Sequence, residues 1–126
     1  MQQLIFEEAW NKTISLKDRH ELETLFQQTK NTASEGIFFS IVRIAVNHRN
    51  DLLVTALVHN FNHQAHKLTE ETILLLEKSH VLSRLTITDS RLQLSAKTSM
   101  PWTFIFSDID QPQQIKQTSL TLSLSN

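Results

Sequence analysis

Three histidines, His59, His63 and His66, fall within eight positions of the stretch VTALVHNFNHQAHKLTEE, and His48 lies just upstream. Imidazoles grouped like this can ligate zinc, relay protons or change charge near neutral pH. Zinc needs three or four ligand atoms converging at about 2.0–2.3 Å. His59 and His63 stand i, i+4, the spacing of a metal-binding helix, but the residues before His59 have strand composition and NFNHQAH reads as loop. On an extended chain four residues separate side chains by roughly 13 Å. A loop could fold them together, with Glu70 or Glu71 adding an oxygen. No His-Glu-x-x-His signature is present. The expectation is solvated strand-end and loop histidines. A metal- or pH-responsive binding domain using His59, His63 and His66 is the alternative.

Other catalytic chemistry has less support. No nucleophile elbow surrounds any serine. The carboxylate pairs Glu7–Glu8, Glu70–Glu71 and Asp108/Asp110 sit in or beside expected turns and termini, where solvation is the default. The single glycine, Gly36, excludes phosphate-cradling loops and dinucleotide fingerprints, and the absence of cysteine excludes thiolate sites and disulfides. Arg43, Arg49, Arg84 and Arg91 are scattered, and the formal net charge is −1. No basic, aromatic-interleaved run of the kind that binds nucleic acid is present. A non-enzyme without a cofactor is expected, with no nucleic-acid partner.

The elements that position these residues follow from pattern. The chain has 126 residues, 40% apolar and 20% charged. That suits one domain over residues 1–126, burying roughly two thirds of its unfolded surface. The start, MQQLIFEEAW, lacks the features of a signal peptide. No apolar run nears the roughly 18 residues of a membrane helix. A cytoplasmic location without membrane insertion is expected. LIFE, residues 4–7, is at most a brief strand. A helix is expected over about 15–28, with Ser15 as N-cap, Asp18 near its positive end, and Leu22, Leu25 and Phe26 as its apolar stripe.

Strands are expected across about 37–124, at IFFSIVRIAV, LLVTALVHN, ETILLLE, HVLSRLTIT, WTFIFSD and SLTLSLS. In the second, Leu52, Val54, Ala56 and Val58 form the inward face, with Leu53, Thr55, Leu57 and His59 opposite. The fold class is mainly β: an antiparallel, immunoglobulin-like β-sandwich of about six or seven strands with one N-terminal α-helix covering an edge or open end.

Two stretches bear on binding. In SMPWTFIF, Pro101 suits a strand start or an edge, and Trp102, Phe104 and Phe106 share one face. They read as core. In SLTLSLS, Leu120, Leu122 and Leu124 share a face, and the strand is a candidate edge for a partner because neither charge nor proline protects it.

The same stretches carry a family resemblance. The sequence resembles the SLAP domain of Firmicutes, the S-layer-assembly accessory proteins tied to the accessory Sec export pathway. The family pattern has an apolar strand ending in Arg-Asn, and His59-Asn60 stands in that place. Leu74 to Leu76 match its leucine strand. Ser99-Met100-Pro101-Trp102, followed by Phe104 and Phe106, match its Ser-Arg-Pro-Trp segment and aromatic strand. Trp10 and residues 15–28 match the upstream tryptophan and charged helical stretch. The similarity covers about residues 4–110. EKSH replaces the family's Asp-Glu-Asn-Gly turn, Ser95 replaces a proline, and Met100 stands where the family has arginine. No role passes from that arginine to this chain. The resemblance implies a non-enzymatic adaptor that assists accessory Sec-dependent export or assembly of surface-layer proteins. Its implied partner is an accessory Sec component or a surface-protein client.

Overall fold

The structure, a computed structural model, describes residues 1–125. It is mainly β. In chain order the elements are β1 (Gln3–Leu4), α1 (Glu8–Thr13), α2 (Leu16–Thr29), β2 (Ile37–Val46), β3 (Leu52–Asn60), β4 (His66–Lys67), β5 (Thr72–Glu77), β6 (His80–Thr86), β7 (Gln93–Leu94), β8 (Thr98–Phe106) and β9 (Leu120–Leu124). Nine strands and two α-helices therefore stand among the described residues, where six or seven strands and one helix were expected. The additions are short. β1, β4 and β7 have two residues each, and α1 has six.

The strands form a four-stranded sheet in the order β1-β8-β3-β2, a three-stranded sheet β6-β5-β9 and a ribbon β4-β7. β1 pairs with β8 in parallel and the other pairings are antiparallel, so the larger sheet is mixed. One apolar core draws on both larger sheets. Leu52, Val54, Ala56, Val58, Phe104 and Phe106 meet Ile73, Leu75, Leu120 and Leu122. Burying each such leucine, isoleucine or phenylalanine contributes about 1.5–3 kcal/mol. The expected inward face of β3 is therefore the observed one.

The expected outward face of β3 needs correction. Leu57 and His59 are as fully buried as the inward residues. The helix does not cover an edge or open end. It lies on the outer face of the larger sheet, where Leu22 and Phe26 of α2 pack with Leu57, flanked by Trp10, Ile14, Leu25 and Val42. Ser15 caps α2 as expected, its Oγ accepting the Asp18 N–H at 3.0 Å. Arg43 of β2 pairs with Asp18 at 2.9 Å and with Glu21, tying the helix to the sheet. β3 thus alternates between two apolar layers, the general condition for a strand that is apolar on both faces.

With one glycine available, several turns place other residues in left-handed backbone. Lys78 and Ser79 form the two-residue β5–β6 connection with φ of 48° and 79°. Gly36 holds φ 100° at the entry to β2.

Candidate functional site

The histidines occupy three different settings. His59, next to last in β3, is fully buried. Its Nε2 lies 2.9 Å from Ser40 Oγ on β2, and its Nδ1 lies 2.6 Å from Ser99 Oγ on β8. Its ring stacks on Phe61, with centroids 5.1 Å apart. The Gln2 side-chain amide donates to Ser99 Oγ at 3.0 Å and to the Asn60 carbonyl at 3.1 Å. Each ring nitrogen thus faces a serine hydroxyl, and in the neutral ring one nitrogen donates and the other accepts. Burial pushes the His59 pKa down from 6.5 to about 4. Both ring nitrogens are occupied within the fold, so the expectation that His59 is solvated is overturned.

His63 is exposed in the loop after β3. His66, on β4, is half-buried with its Nε2 2.8 Å from Glu71 Oε2. The structure therefore brings His66 and Glu71 together but does not bring His59, His63 and His66 to a common point. Among the described residues, no group of three histidine or carboxylate side chains is placed to hold a metal ion.

Asn60 is a clamp. Its Nδ2 donates to the carbonyls of Gln64 at 2.9 Å, Ser95 at 3.1 Å and Leu94 at 3.3 Å. Its Oδ1 accepts the Asn62 N–H at 3.1 Å. It holds the β3–β4 loop against the segment that enters β8.

The other singled-out residues fall as follows. Pro101 is buried within β8, and Phe104 and Phe106 are in the core. Trp102 shares their face but is only half-buried, with the Arg91 guanidinium 5.1 Å from its ring centroid. Trp10, on α1, packs against the cluster of Leu22, Phe26 and Leu57. Leu120 and Leu122 complete the core and Leu124 packs at its margin. Glu7 caps α1 through Ala9 N–H at 2.9 Å, and Asp108 accepts the Ser83 hydroxyl at 2.6 Å. Asp110 and Glu70 are exposed.

Pattern reading missed a groove of about 510 Å³ between the helices and the outer face of the larger sheet. Its floor is the cross-strand pair Thr55–Thr103, with hydroxyls 2.8 Å apart, and its walls include Trp10, Ile14 and Leu22. Arg43 borders it on β2 and Arg91 on the β8 side. Arg91 is paired with Asp89 at 2.6 Å and lies 3.8 Å from Glu7. Its guanidinium and N–H hold the Asp89 carboxyl down at about 2. The groove joins residues from α1, α2, β2, β3 and β8, so no local pattern announces it.

A family model described as the SLAP domain matches residues 4–125. No curated protein and no solved structure matches the chain.

Proposed function

This chain belongs to the SLAP domain family, and on that premise we propose that it is a non-enzymatic adaptor. It binds a protein client or an export component during accessory Sec-dependent export or assembly of surface-layer proteins, and it works in the cytoplasm. The family match over nearly the whole chain carries this reading. The use of His59 supports the non-enzymatic part. Its nitrogens are engaged by Ser40 and Ser99 inside the fold, in a neutral state that burial favours.

We read the two larger sheets, which share one core, as the layers of an immunoglobulin-like sandwich. Among the described residues no helix is long and apolar enough to cross a membrane.

Affinity purification of the tagged chain from its native bacterial lysate is the test. Specific recovery of an accessory Sec component or a surface-layer protein is the expected result. Repeated recovery of neither rejects the reading.

A further inference from the structure

The edge of β8 is open for most of its length. β1 covers it only at Thr98 and Ser99, with Gln3 N–H donating to Lys97 O and Ile5 N–H to Ser99 O, both at 2.9 Å. Backbone groups of an antiparallel strand point to alternate edges, residue by residue. Within β8, residues 99, 101, 103 and 105 therefore turn theirs away from β3. Pro101 agrees with this, because it has no N–H to leave unpaired on that side. Thr103 and Ile105 remain, about 7 Å apart along the strand, each presenting one N–H and one C=O. Among the described residues, no strand pairs with β8 there and no loop backbone bonds to these groups.

Each face of this edge has a cleft. On the outer face the helix–sheet groove runs across Thr55 to Thr103. On the core face a cleft of about 170 Å³ lies between Trp102 and Phe104 on one side and Leu85 and Ile87 on the other. Side chains of an added strand would alternate between these two clefts. Apolar surface lines the approach, since Ile105 is 49% exposed and Ile5, next after β1, is 42% exposed. Arg91 reaches both Trp102 and the groove, so its half-exposed side chain, paired with Asp89, stands across the edge as a guard.

We propose that the β8 edge at Thr103 and Ile105 binds an extended segment of a partner polypeptide by strand addition, continuing the line that β1 begins. The segment carries bulky apolar side chains at alternating positions, one set for each cleft. The β9 edge is less suited, because it runs alongside β2 and Gln117 closes onto the Val42 carbonyl at 3.1 Å. This inference rests on the adaptor reading and names how that adaptor would hold its partner.

The test selects short random peptides on the full chain, then titrates a selected peptide into isotope-labelled protein. Protection of the Thr103 and Ile105 amides from hydrogen exchange is expected. Ile105→Pro removes an outward N–H and obstructs pairing, and it weakens binding about tenfold or more. Ile105→Lys keeps the N–H and adds a gatekeeping charge, so it weakens binding even if the proline variant folds poorly. Arg91→Ala removes the guard and leaves binding at least as tight.

Failure to select a binder overturns the proposal, as does protection confined to other amides. Undiminished binding by a folded Ile105→Pro or Ile105→Lys also overturns it. Concentration-dependent self-association abolished by either variant would make a second copy the occupant and equally overturn it. Purification separates the two readings. An accessory Sec or surface-layer partner retained equally by wild type and the Ile105 variants sinks the edge and leaves the adaptor standing. No such partner on wild type sinks the adaptor, whatever the peptides do.

Discussion

Ser99 Oγ lies 2.6 Å from His59 Nδ1 across the β3–β8 ladder, and Ser40 Oγ lies 2.9 Å from the other ring nitrogen on the β2 side. His59 thereby pins the three strands together with a neutral, fully paired imidazole. The most conspicuous polar stretch of the sequence thus begins with a structural residue.

The pinning histidine makes stability depend on pH. Its pKa falls from 6.5 to about 4 on folding. The unfolded chain therefore binds the proton more readily, and stability contributed above pH 6.5 is lost as pH falls toward 4. The full loss is on the order of 3 kcal/mol. Urea denaturation across this range should show wild type losing more stability than His59→Gln. Parallel profiles for the two proteins would contradict the assignment.

Asn60 gives a sharper structural contrast. Asn60→Ala leaves three carbonyls and one N–H without their partner and should cost about 2–3 kcal/mol. Asn60→Asp should cost more at pH 7, because a carboxylate would face those carbonyls. Equal denaturation midpoints for Asn60→Asp and wild type would refute the clamp.

Leu57 tests the layer formed by the helices. Buried against Leu22 and Phe26, it should cost about 2–5 kcal/mol as Leu57→Ala. Leu53→Ala, at a half-buried position on the same face, should cost clearly less. Similar small losses at both positions would mean that α2 does not seal this face in solution.

The β5–β6 turn should be improvable. Lys78 and Ser79 both hold positive φ in a two-residue connection, the geometry that Asn-Gly adopts with least strain. The double substitution Lys78→Asn/Ser79→Gly should stabilise the chain by about 1–2 kcal/mol. A lower denaturation midpoint would count against this turn geometry.

Much of this arrangement could be read from local pattern. Alternation located β2, β3, β5, β6 and β9 closely, and Ser15 with Leu22, Leu25 and Phe26 located α2. Pro101-Trp102 and the aromatic pair after it pointed to the family. What escaped was set by distant neighbours. Alternation along β3 says that Leu57 and His59 share a face but not that α2 covers it. Gln3–Leu4, His66–Lys67 and Gln93–Leu94 are strands only because a distant segment pairs with them. Only part of β8 was legible, since WTFIFSD starts at Trp102 and the strand starts at Thr98, and its open edge depends on β1 stopping at Leu4. The groove needs five elements at once.

The β8 edge is where we propose that this SLAP-domain chain holds a protein partner. A photo-crosslinking amino acid placed at Ile105 in the native cell tests it most directly, with the same probe at exposed Lys17 on α2 as control. The Ile105 probe should capture an accessory Sec component or a surface-layer protein well above the Lys17 probe. Equal capture from both sites, or capture of neither protein class at Ile105, would contradict it.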